Sequence, residues 1–189
     1  SLEKLREKLH EASKSNNLPK ILIPVHFAGQ PTEQEEIWNL SKQYGFKIIE
    51  DASHSIGSKH KKESVGSCKW SDITVFSFHP VKIITSCEGG MSTTNEESIR
   101  DKMLLYRTHG ITKDPKKFVH GNDPWHYEQH VLGYNFRLSD LHAALGLSQL
   151  RNLSKFIDKR NYIAKKYNID LNQDKIQLPS IRKENISSF

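Results

Sequence analysis

FKIIEDASH, residues 46–54, passes from a short apolar run straight into a dense polar cluster, and the chain repeats the move in ILIPVHFAGQP (21–31) and ITVFSFHPVK (73–82). Short apolar runs bounded by turn residues read as buried strands. Helical patterns separate them. Leu2, Leu5, Leu9 and Ala12 recur at helical spacing and predict an opening helix that loosens at Ser15, Asn16 and Asn17. Thr32 with Glu35 forms a capping-box pattern for a helix reaching about Tyr44, with Gly45 just past its end. GGMSTT (89–94) reads as a fourth strand. Asn95 is the predicted cap of a helix to about Tyr106, Ser139 that of a helix to about Leu150, and a last helix is expected near 153–167. Strands alternating with helices imply an α/β fold with a largely parallel sheet covered on both faces.

The 189 residues are 35% hydrophobic and 26% charged, a composition suited to one globular domain with its own core. No apolar run reaches the ~18 residues of a spanning helix and no signal-like segment opens the chain, so the sequence reads as soluble and cytoplasmic, without a membrane partner. Cys68 and Cys87 have no CxxC spacing and read as reduced thiols. The net charge of +6 raises nucleic acid as a partner, but the stretch from Arg151 to Phe189 holds nine Lys/Arg against four Asp/Glu and no aromatic ladder accompanies it. A solvated terminal helix explains that charge, and no nucleic acid is expected. HYEQH (126–130) frames Glu128 with two histidines. Its spacing is neither HExxH nor HxxEH, so no metal is expected.

In open α/β sheets the ligand crevice lies beyond the carboxyl ends of the strands, so HFAGQP, DASH and HPVK can converge on one site. Polar loops after strands are also the ordinary condition of the class. Asp51 follows Ile48 and Ile49, where partial burial calls for a cationic or hydrogen-bonded partner. Lys82 interrupts the otherwise apolar or small-residue run SFHPVKIITSCEGG (77–90) and is the matching cation type. A desolvated lysine becomes a usable amine nucleophile and proton carrier. The alternative is a Lys82 that reaches solvent along its stem while Asp51 caps a turn.

IIEDASHSIGS (48–58), TVFSFHPVKIITSCEGG (74–90), RTHGI (107–111) and LGYNFRLSDLHAALGLSQL (132–150) resemble, in order, successive blocks of the DegT/DnrJ/EryC1/StrS family. These are pyridoxal-phosphate sugar aminotransferases of the fold-type I class acting on nucleotide-linked keto sugars. The resemblance runs from roughly Pro24 to Tyr167. FHPVK and RTHGITKD are most similar to the branch that aminates C4 of a UDP-linked 4-keto-6-deoxy-N-acetylhexosamine on the way to pseudaminic acid. It implies that Lys82 forms the internal aldimine with pyridoxal phosphate and shuttles the proton, and that Asp51 keeps the pyridine nitrogen protonated. It places His54 near the cofactor ring oxygen and Ser77 on the cofactor phosphate. Asn135 would reach the phosphate of the neighbouring subunit's cofactor, which implies a homodimer. Each has a plainer alternative: His54 bonding a loop carbonyl, Ser77 an ordinary strand-end hydroxyl, Asn135 stabilising its own turn. His26 lies in a loop resembling one near the family's active site and carries no catalytic assignment. A dehydratase relative would have His in place of Lys82.

The implied substrates are a nucleotide sugar and an amino-acid donor such as glutamate. Family members extend further at both ends, so the resemblance implies a fold-type I large domain with a mostly parallel mixed sheet flanked by helices, incomplete at both ends. Residues 1–150 would be part of the cofactor-binding large domain, and 151–189 a helix and the start of a C-terminal small domain. The competing expectation is a non-catalytic truncated fragment, or a binding domain of the same fold.

Overall fold

A computed structural model describes residues 1–121, 123–171 and 175–189. In chain order it contains α1 (Leu2–Lys14), β1 (Ile21–Leu22), α2 (Gln34–Tyr44), β2 (Lys47–Asp51), β3 (Lys59–His60), β4 (Glu63–Ser64), β5 (Ile73–Ser77) and β6 (Gly90–Thr93). There follow α3 (Glu97–Arg107), β7 (Ile111–Thr112), β8 (Glu128–Gln129), α4 (Asp140–Leu150), α5 (Leu153–Asp170) and β9 (Asn185–Ile186). The chain divides into two compact units, one of residues 1–95 with 141–189 and one of residues 96–140.

The first unit is built on a four-stranded sheet in the order β1-β2-β5-β6. β1, β2 and β5 run parallel, and β6 returns antiparallel along β5 with Ser77 opposite Gly90. Side chains alternate between the faces of a strand, and the two faces differ. Ile48, Glu50, Thr74 and Phe76 point to a buried face, whereas Ile49, Asp51, Val75 and Ser77 alternate onto a face that stays half-exposed. α1 and α2 close the buried face through a core of Leu9, Ile37, Leu40, Phe46 and Ile48, with Leu2, Leu5, Leu22 and Trp38 packed at its rim. A second core of Ala52, Val65, Phe76, Phe78 and Ile84 receives Leu153 and Phe156 of α5. The sheet is largely parallel as expected, but it is not buried alike on both faces.

Several local expectations need correction. ILIPV is not a buried strand: Ile21 and Leu22 pair in the ladder, Val25 adds an isolated bridge to Asp51, and Ile21, Ile23 and Val25 are exposed at the sheet edge. Thr32 and Glu35 do not form a capping box. The Thr32 N–H is bonded to His26 Nδ1 instead, so α2 enters at Gln34 with no side-chain cap. Its exit at Gly45 is as expected, with φ +79°. Asn95 does not cap α3, because its amide nitrogen donates back to the carbonyls of Ser67 and Cys68. The basic stretch from Arg151 is mostly the solvated helix α5, which has no fully buried residue.

The second unit joins α3 to the antiparallel hairpin β7–β8 and to a bridge between Thr108 and Asn135. Its loop is gathered on Glu128, whose carboxylate accepts the N–H groups of Val119 and His120 and lies 3.1 Å from Nε2 of both His126 and His130. The two histidines of HYEQH are therefore partners of one carboxylate. No group of three metal-ligating side chains occurs among the described residues. Both cysteines are free, and no described helix is long and apolar enough to cross a membrane.

Candidate functional site

The parallel register sets Asp51 level with Val75, and Ser77 stands two residues further along the same face. Strand geometry puts their Cα atoms about 8 Å apart. Glu50 and Thr74, one residue back on each strand, meet on the opposite face with a 2.7 Å hydrogen bond, which fixes which way the alternation runs. Asp51 is half-buried, and its Oδ1 accepts the Ser53 N–H at 3.0 Å. Hydrogen bonding from Ser53 holds the Asp51 carboxyl below its usual range, against the upward push of burial, with the His54 and Lys82 charges adding to the effect.

Lys82 does not lie in a strand. It closes the turn His79–Lys82 that follows β5, donating its N–H to the His79 carbonyl at 3.0 Å, with Pro80 fixing the turn. The loop from 78 to 89 is tied at its neck: Phe78 donates to Gly89 O, while Ser86 N and Thr85 Oγ1 donate to Phe78 O. Ile83 and Ile84 are buried directly after the lysine. Lys82, a half-buried residue, is thus carried on a pinned loop, with its charge felt at Asp51. Gly90, where that loop rejoins the sheet, is required sterically, since a Cβ there would come 2.6 Å from the Phe76 carbonyl oxygen.

His54 follows in the loop after β2, its ring edge-on to Phe27 at 5.7 Å. Among the described residues no hydrogen bond joins the His54 ring to a loop carbonyl, the plainer reading of that histidine. Its own carbonyl accepts the Ser188 hydroxyl at 3.1 Å. Asn135 is exposed in the second unit, flanked by Tyr134 and Phe136, whose rings stack 4.9 Å apart. Asp51, His54, Ser77 and Lys82 thus gather at the carboxyl ends of the sheet, and Asn135 belongs to the other unit.

Two features had not been read from the sequence. Glu50, buried behind Asp51, is one; a carboxylate at a core-facing strand position is its signal. The other is the segment 185–189. β9 pairs with β3, Ser187 and Ser188 are buried, and Ser188 reaches the Gly29 carbonyl, Ser58 Oγ and the His54 carbonyl. Polar serines give no hydrophobic pattern that would announce such burial.

Residues 1–188 match the DegT/DnrJ/EryC1/StrS aminotransferase family. The chain belongs to this family. One relative, a Campylobacter jejuni protein named UDP-4-amino-4,6-dideoxy-N-acetyl-β-L-altrosamine transaminase, is 44% identical over 153 residues, which is 81% of this chain and 38% of that protein. A solved Helicobacter pylori aminotransferase involved in the biosynthesis of pseudoaminic acid superposes with a TM-score of 0.76 at 31% identity, covering 91% of this chain and 44% of that one. A putative sugar aminotransferase from Streptococcus pneumoniae, solved in its PMP form, gives 0.76 at 26% identity, with 89% and 47% covered. The chain spans less than half the length of these relatives. The likeness confirms the fold-type I architecture, and DegT/DnrJ/EryC1/StrS members are pyridoxal-phosphate sugar aminotransferases.

The residues present fit that cofactor. Asp51 and Ser77 offer an anion and a hydroxyl on one open face, a separation suited to a pyridine nitrogen at one end and a phosphate at the other. Lys82 supplies an amine whose charge is felt at Asp51.

Proposed function

We propose that the protein transfers an amino group from an amino acid such as glutamate to a UDP-linked 4-keto-6-deoxy-N-acetylhexosamine, using pyridoxal phosphate held at Lys82. The observation that carries this reading is the placement of Asp51 and Ser77 on the half-exposed sheet face, with Lys82 on the pinned loop that follows. The altrosamine transaminase relative supports the choice of sugar. Bound pyridoxal phosphate supplies an electron sink for charge developing at the substrate carbon.

The chain's own residues do the rest. Asp51, ionised because Ser53 and nearby positive charge favour its anion, holds a proton at the pyridine nitrogen. Lys82 Nζ anchors the cofactor and then carries the proton at the reacting carbon, as general base and acid in turn. The Ser77 hydroxyl donates to the phosphate, and His54, braced by Phe27, borders the ring. Asn135 serves the phosphate site of a second subunit, which makes the working form a homodimer. Residues 1–150 belong to the cofactor-binding large domain and 151–189 lead into a small domain.

The test is incubation of the purified protein with pyridoxal phosphate, glutamate and the 4-keto sugar nucleotide, followed by mass spectrometry. Appearance of the 4-amino sugar with matching 2-oxoglutarate is expected. A protein that binds the cofactor and consumes glutamate but leaves this sugar unchanged would contradict the assigned substrate.

A further inference from the structure

We infer that His26 is a positioning residue for Asp51, held in place from behind the sheet by Glu50. The inference rests on the cofactor reading above for its consequence, though not for its geometry. Among residues 21–28 every side chain except that of His26 is at least partly exposed, while the imidazole is fully buried. β1 is two residues long, and beyond it the segment at 24–26 joins β2 only through an isolated parallel bridge between Val25 and Asp51. It is bonded there to both main-chain groups of Asp51: His26 N–H donates to Asp51 O at 3.0 Å, and Asp51 N–H donates to Pro24 O at 2.9 Å. On the other side Ala52 N–H donates to Val75 O at 2.8 Å. The Asp51 peptide is gripped from both neighbouring strands, and His26 is the plug that keeps one grip closed.

The plug is itself fixed at three points. Nδ1 accepts the Thr32 N–H at 3.1 Å, which leaves the ring proton on Nε2. Nε2 faces Glu50 Oε1 at 3.4 Å, a close polar contact, and makes no hydrogen bond among the described residues. The His26 carbonyl accepts Ser55 Oγ at 2.8 Å, tying in the loop that carries His54. Glu50 is saturated by Gln34 Nε2, by Ser71 Oγ at 3.0 Å and by Thr74 Oγ1 at 2.7 Å. A buried carboxylate with this many donors is a rigid anchor, because each donor it lost would be left unsatisfied. Asp51 and Glu50 are adjacent and face opposite sides of the sheet. Any shift of His26 is passed to the Asp51 main chain, and from there to the carboxylate on the functional face.

The test uses His26→Ala and, since that change opens a cavity, also the isosteric Glu50→Gln. Two quantities are read in each: the hydrogen-exchange rate of the Asp51 amide in cofactor-free protein, and the equilibrium affinity for pyridoxal phosphate from absorbance titration. We expect exchange at Asp51 to rise about tenfold while amides of α2 keep their protection, and cofactor affinity to fall about tenfold. In an Asp51→Asn background the same substitutions should lower affinity no further, because residues acting through one another are not additive. Unchanged exchange at Asp51, or losses of affinity that add, would overturn the inference. If exchange rises as expected but Asp51→Asn itself leaves cofactor affinity intact, His26 still positions Asp51, and the cofactor reading alone is overturned.

Discussion

Asp51, Glu50 and Glu128 are three carboxylates kept ionised by three different sets of partners. Asp51 is held down by Ser53 and by nearby positive charge. For Glu50, burial would push the carboxyl up, but the facing His26 imidazole and hydrogen bonds from Thr74 and Gln34 outweigh it and hold it down. Glu128 is lowered to about 2, chiefly by the Val119 N–H, with the His120 N–H and the two histidines adding to it. A depressed carboxyl pKa contributes stability that is present above the unfolded value of about 4.3 and lost as pH falls through the folded value. The Glu128 carboxyl resonance, followed by NMR, should therefore titrate near 2. A midpoint near the unperturbed value would show that the clasp does not form. Glu50→Gln, which leaves donors facing a donor, should lower stability by about 1–3 kcal/mol in urea unfolding at neutral pH. It should also remove part of the loss of stability seen on acidification. Asp51 and Lys82 were legible in the sequence because a charged group at the end of an apolar run is conspicuous. His26 was passed over because its partner, Glu50, looked like the ordinary end of a strand.

At the scale of the element, β5, its loop and β6 form the frame on which the site hangs. Gly90 stands where a Cβ would press within 2.6 Å of the Phe76 carbonyl, so Gly90→Ala must displace β6 or the loop neck. The expected cost is about 1–3 kcal/mol in thermal or urea unfolding. A larger proportional loss of cofactor affinity should accompany it, since Lys82 lies on the same loop; a variant as stable as the parent would show that the neck is loose. Strands and helices were legible because apolar runs and 3.6-residue spacing survive folding. The caps of α2 and α3 were misread because caps depend on tertiary partners. Thr32 gives its N–H to a buried histidine, and Asn95 turns to carbonyls of the 67–68 turn. The inserted segment 185–189 was invisible because its hold is made by serine hydroxyls and main-chain groups.

At the scale of the whole molecule, the proposed amine, ring anchor and one phosphate ligand lie within a chain that spans less than half the length of its relatives. α4 is apolar around most of its circumference, with Leu141, Leu147 and Leu150 exposed in this chain. The family blocks fixed the expected roles, and the sheet brings four of the five assigned residues to one end of one unit. The central claim is that Lys82 holds pyridoxal phosphate. Titration of the purified protein with pyridoxal phosphate, followed by borohydride reduction and peptide mass spectrometry, tests it directly. A saturable absorbance band, with the cofactor mass fixed on the peptide containing Lys82 and both lost in Lys82→Ala, is the expected result. A band that persists in Lys82→Ala, or a cofactor mass on another lysine, would contradict it.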